Sequence, residues 1–208
     1  AIGIRLRRDG DAATLHKLLA DPDPNVASAA CTTAAELKDR AYLDSLLRLL
    51  RRAQMRGRAI ETLAAYGERI VGTLGDVLLD TTMPLSVRRH IPRVLRNISS
   101  QGSVDVLLQA LGEEDLTVRS SVLKALNGLR EINAKLSYGR ESVMQHILSE
   151  ARYYYEMSAA LSAPEDRKEH TTARLLIETL QERLGGTLER VFRLLGLRYP
   201  PKEMRAAY

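Results

Sequence analysis

Along most of the chain apolar residues return at intervals of three and four, and few runs of β-branched residues alternate apolar with polar as a strand requires. Four segments share one register when Val26, Met55, Val87 and Val118 are superposed: VASAACTTAAEL, MRGRAIETLAAY, VRRHIPRVLRNI and VRSSVLKALNGL. The spacings between these anchors are 29, 32 and 31 residues. Four positions on stand Ala30, Ala59, Ile91 and Val122; eight on, Ala34, Leu63, Leu95 and Leu126; eleven on, Leu37, Tyr66, Ile98 and Leu129. Those offsets trace a single helical face. A shorter leucine-rich segment precedes each one (ATLHKLLA, LDSLLRLL, IVGTLGDVLL, VDVLLQAL), and a short polar turn lies between the two. In the first turn, DPDPN at 21–25, Asp23 is placed to cap the second helix and Pro24 to fill its first position, where no amide hydrogen is needed. The predicted unit is helix, turn, helix. One such pair cannot bury its apolar face alone, so neighbours are expected to stack.

Beyond residue 130 the period changes. Met144, Ile147, Leu148, Ala151, Tyr154, Tyr155, Ser158 and Leu161 form a stripe that predicts a long helix over 140–161. The polar stretch SAPEDRKEH breaks it, and a second long helix is predicted from Thr171 to Leu197, interrupted by Gly185-Gly186 and ended by Pro200-Pro201. The expected fold is therefore all-α: an α-solenoid of about four helix pairs over 1–130, continued by a helical hairpin over 131–208 that caps the stack as part of one domain. Pro92 falls inside the second helix of the third pair, where it removes a backbone bond and predicts a bend. The chain starts at Ala1 without Met and stops at PPKEMRAAY, which reads as a piece cut from a longer protein.

Composition sharpens this reading little. Among 208 residues there are eight Tyr, one Phe and no Trp, consistent with an aliphatic helical core. The 31 Lys and Arg against 26 Asp and Glu give a net charge of +5, dense but only mildly unbalanced, and this alone does not define a nucleic-acid binder. Cys31 is the only cysteine, which excludes an internal disulfide and fits a reducing compartment; its Ala and Thr neighbours predict a small buried residue. No secretory signal is visible and no apolar run approaches the roughly 18–20 residues that cross a bilayer, so no membrane insertion of this segment is expected.

Candidate chemistry is concentrated in arginine. One position after the anchors stand Ala27, Arg56, Arg88 and Arg119, a regularity that reads first as structural. Arg58, Arg89, Arg93, Arg96 and Lys124 lie off the apolar face and form a candidate binding stripe for an acidic or phosphate-bearing partner, with a merely solvated charged face as the alternative. His16, His90, His146 and His170 are scattered, and no HExxH or CxxC spacing marks a metal site. GxSxG and P-loop patterns are also missing, so no catalytic, cofactor-binding or metal-ligating residue is assigned. Tyr153 to Tyr155 could stack on bases, but core packing of Tyr154 and Tyr155 is the stronger expectation.

The DPDPNV turn followed by an Ala-rich helix, residues 21–37, resembles the HEAT repeat in its short, lyase-like form, over roughly residues 9–130. That resemblance implies second helices lining a concave surface, and repeat arginines Arg56, Arg88 and Arg119 bonded to a turn carboxylate such as Asp115 or the Asp21/Asp23 pair. LERVFRLLGLRYPPKEMRAAY at 188–208, with LAAYGE at 63–68 and IPRVLRNI at 91–98, is similar to the HEAT region of bacterial membrane proteins. Those proteins join a nucleotide-carrier-like (ATP/ADP antiporter type) transporter domain to HEAT repeats and, often, a cyclic-nucleotide-binding domain. The likeness implies a non-catalytic cytoplasmic scaffold, tethered through the rest of its chain, whose partners are proteins or the neighbouring transporter and cyclic-nucleotide-binding domains. A HEAT protein similar to the alkylpurine DNA glycosylases, gripping phosphates with the arginine stripe, is the competing expectation. The small charge excess, the lack of Trp and the acidic turns argue against nucleic acid. A pigment-lyase-type HEAT enzyme would need a chromophore partner that no residue here reveals.

Overall fold

The structure, a computed structural model, describes residues 12–162 and 171–199, and every regular element among them is helical. The protein is all-α. The chain divides into two compact units, residues 1–136 and 137–208.

In the first unit the helices are α1 (Ala12–Leu19), α2 (Pro24–Leu37), α3 (Leu43–Leu49), α4 (Arg56–Ala65), α5 (Val71–Leu79), α6 (Leu85–Arg88), α7 (Ile91–Ile98), α8 (Gln101–Gln109) and α9 (Leu116–Ile132). Short 3-10 turns at Arg40–Tyr42, Gly67–Ile70 and Ala110–Gly112 join them. Helix α2 packs on α4, α4 on α7 and α7 on α9, while each of these also packs on the shorter helix before it, α1, α3, α5 and α8 respectively. The anchors explain the order. Met55, Val87 and Val118 are buried, and so are the residues four and eight positions on, from Ala30 to Leu126. Val26 is only half-buried, and Ala27 takes the inward position in α2.

Helix ends follow local chemistry. Asp23 accepts the Asn25 amide at 2.8 Å with Pro24 opening α2, as the sequence predicts. Asp115 accepts from the Thr117 and Val118 amides at 2.9 and 3.0 Å, and Ser100 from the Ser103 amide at 3.2 Å. The second helices of the first three pairs stop on a left-handed residue twelve positions after the anchor: Lys38 (φ 53°), Gly67 (φ 67°) and Ser99 (φ 55°). Only one of the three is the glycine such a backbone favours.

Pro92 does more than bend its helix. The second helix of the third pair is broken into α6 and α7 at Arg89-His90, where the His90 amide turns back to the Val87 carbonyl at 2.9 Å. Pro92 then sits in the first turn of α7, where a missing amide hydrogen costs little. The break relieves the clash that a proline inside a continuous helix would cause.

The second unit consists of α10 (Arg140–Ser162) and α11 (Thr171–Arg198), which pack against each other. Its inward stripe is rotated from the predicted one: Val143, Ile147 and Glu150 are buried, but Leu148 is 63% and Tyr155 72% exposed, so Tyr155 is not a core residue. Glu150 belongs to this face because it pairs with a charge on the other helix, which an apolar count could not register. Gly185-Gly186 does not interrupt α11, which runs straight through. Packing on α10 outweighs the roughly 1 kcal/mol that each glycine costs a helix. The predicted break at 163–170, the prolines 200 and 201, and the first residues of the array lie outside the described residues.

Candidate partner-binding face

The repeat arginines are structural, but their main acceptors are not the expected carboxylates. Arg56 Nε donates to the Leu50 carbonyl at 3.1 Å, Arg88 Nε to that of Leu78 at 2.9 Å and Arg119 Nε to that of Glu113 at 2.7 Å. Leu50 and Leu78 lie at the end of the preceding first helix, among the carbonyls that have no partner inside it, and Glu113 follows the 3-10 turn that ends the fourth one. The arginine thus closes its own helix pair. Arg88, 5% exposed, also pairs through Nη2 with the Glu113 carboxylate of the next unit. The carboxylates of Asp21, Asp23 and Asp115 instead take backbone amides. Arg52, which no register marked, spans to the first turn and donates to the Asp21 and Pro22 carbonyls at 2.6 and 2.9 Å.

The five stripe residues divide into two groups. Arg58 lies down towards α2, donating to Thr32 Oγ1 at 2.6 Å and pairing with Glu61 at 3.4 Å. Arg96 lies on α9: a Cβ added at Gly128 would come within 2.7 Å of its Cζ and 2.9 Å of its Cδ, so the glycine forms its seat. The Nε atoms of Arg58 and Arg96 are buried without a hydrogen-bond partner, as fits stems packed between helices. Arg93 and Lys124 stand exposed, and Arg89 is half-buried at the break.

Around that break the charge converges. Arg89 Nε donates to His90 Nε2 at 3.2 Å, which requires an unprotonated ring nitrogen. Burial, followed by the positive charges of Arg56, Arg89 and Arg93, holds the His90 imidazole down to about 4 from an ordinary 6.5. Ion pairs such as Arg58–Glu61 and Arg88–Glu113 neutralise other arginines of this unit, but none among the described residues uses Arg56, Arg89 or Arg93. Three guanidinium groups without a carboxylate partner thus act on one neutral imidazole at the start of α7, Arg89 in direct contact with it. Sequence reading grouped Arg89 and Arg93 but read Arg56 first as structural and His90 only as a rejected metal ligand. The packing of α4 on α7 brings them together, and no spacing encodes it.

Other polar groups serve the fold. Cys31 is fully buried, and burial pushes its thiol up against the opposing pulls of Thr62 and Arg58. In the second unit Arg190 Nε meets Glu150 at 3.0 Å and its Nη2 donates to Thr187 Oγ1 at 2.8 Å, with both charged side chains buried. Among the described residues no group of three or more His, Cys, Asp or Glu could hold a metal ion, and no helix is long and apolar enough to cross a membrane. No family model matches the chain, and no curated protein matches it.

Proposed function

We propose that the chain is a non-catalytic scaffold of HEAT-like repeats, a short α-solenoid that docks an acidic segment of a partner along the exposed face of its second helices. One observation carries this reading: the charges of Arg56, Arg89 and Arg93 act together on His90 at the start of α7 with no carboxylate paired to them, and Lys124 stands exposed on α9, the helix packed against α7. Holding like charges together costs free energy, and a bound anion recovers it. The partner is a protein or a neighbouring domain of the same polypeptide. The likeness of residues 188–208 to transporter-linked HEAT regions favours a transporter domain and a cyclic-nucleotide-binding domain, which would put this segment in the cytoplasm. Its work there is mechanical, since units that touch only their neighbours can flex and a ligand along them biases that curvature.

Fluorescence anisotropy with a labelled ten-residue Glu/Asp-rich peptide tests the proposal. Arg89→Ala, Arg93→Ala and Lys124→Ala combined should weaken capture by about tenfold or more, as loss of several charge-assisted contacts requires. Unchanged affinity would end the reading. Tighter binding of an oligonucleotide, falling steeply with salt, would favour the nucleic-acid alternative instead.

A further inference from the structure

The converging cations at the α6–α7 break are more specific than a basic face needs to be. A single carboxylate carries one negative charge and two oxygens, and one arginine satisfies it through a two-pronged contact. Here Arg56, Arg89 and Arg93 bring three permanent positive charges to bear on one imidazole, and the Arg93 side chain has no hydrogen-bond or ion-pair partner among the described residues. With Nε2 accepting from Arg89, the neutral ring carries its own proton on Nδ1 and is a further donor. The three cations come from different places in the fold: Arg56 from the first turn of α4, Arg89 from the break, Arg93 one turn into α7. They belong to two packed helices, α4 and α7, and the turn before α7, unlike a stripe along a single helix. A phosphate monoester carries nearly two negative charges at neutral pH and three terminal oxygens, which matches this set in both charge and number.

We infer that Arg56, Arg89, His90 and Arg93 form a receptor for a phosphorylated side chain, phosphoserine or phosphothreonine, in the docked segment of a protein partner. This rests on the partner-docking reading and specifies how the partner is recognised. A nucleic-acid backbone fits less well. Its phosphodiesters carry one charge each and recur along a strand, so they call for cations spread along a path; Arg58 and Arg96 on either side are laid onto α2 and α9. Recognition of a phosphorylated residue would make docking dependent on a kinase and a phosphatase, reactions that must lie outside this chain.

The test uses the whole chain labelled with 15N and three blocked peptides differing at one position: phosphoserine, serine or glutamate. The expected result is saturable shifts of the His90 ring and the Arg89 and Arg93 Nε signals with phosphoserine peptide, with affinity at least about tenfold above that for either other peptide. The His90 titration should move upward in the complex, because a nearby anion favours the imidazolium. Arg93→Glu, an exposed site where folding is safe, should abolish the effect, and Arg93→Lys should restore part of it. Equal affinity for the glutamate peptide would overturn the phosphate assignment while leaving the acidic docking face standing. No saturable shift at these residues with any peptide would overturn the assignment as well, whereas docking itself stands or falls on the Glu/Asp-rich peptide. Stronger binding of a thymidine oligonucleotide at the same signals would replace the phosphorylated protein with nucleic acid.

Discussion

Arg88 shows how much one side chain can hold. It satisfies the Leu78 carbonyl in its own pair and the Glu113 carboxylate in the next, nearly shielded from water. Arg88→Ala should therefore cost about 3 kcal/mol, because it leaves a largely buried carboxylate and a carbonyl without partners. Arg56→Ala, which vacates a half-buried site with one carbonyl bond, should cost about 1 kcal/mol. Urea midpoints at constant slope check both. His90 carries a pH signature. The unfolded chain takes up its imidazole proton near 6.5 and the folded chain only near 4, so between these values the unfolded state binds more protons. Stability is fully present above pH 6.5 and declines towards pH 4, by about 1–2 kcal/mol once solvent screening of the half-exposed ring is allowed for. His90→Gln should flatten that part of the curve of urea midpoint against pH. The sequence made the arginine at the repeat position legible, but not its acceptor, since carbonyl positions depend on how each first helix ends.

At the level of elements, the left-handed stops repeat as faithfully as the apolar anchors. Lys38 and Ser99 adopt a backbone that Gly67 adopts without strain, so Ser99→Gly should raise stability by about 0.5–1 kcal/mol and Gly67→Ala lower it by a similar amount. Thermal melts of the single variants decide this, and nothing crowds a Cβ at Gly67 to confuse the second result. In the pair α10 and α11, Glu150 and Arg190 are opposite charges on facing helices. Glu150→Ala should cost about 3 kcal/mol by stranding Arg190, whereas Glu150→Leu with Arg190→Leu should be close to neutral or stabilising. Pairing of this kind explains why the stripe on α10 was misread: the period of three and four was legible, but a count of apolar residues admits Leu148 and Tyr155 and passes over Glu150. The broken helix at Pro92 was half legible. Proline announced a disturbance, but whether the chain bends or restarts depends on the turn that Arg89 and His90 adopt.

Over the whole first unit, the order of contacts is set by residues about thirty positions apart. The second helices meet only the next in line among their strongest contacts, and cross-links such as Arg52 to Asp21, Arg58 to Thr32 and Tyr66 to Asp39 likewise join adjacent units. The period and most of the buried face were readable from the chain because each unit repeats its own local rules, although Val26 is only half-buried and the third long helix is split. The cluster of cations at the break was not readable, because it arises where two units touch. This economy of reach carries a consequence for how such a chain can change. Excising residues 55–86 would bring Gln54 onto Val87, anchor for anchor, and the new neighbours would present surfaces of the same kind. A cut half as long would set oily faces against water. Lineages carrying this chain should thus gain or lose length in whole modules, and the third module is the one that duplication could not copy without also copying a proline-broken helix and its cations.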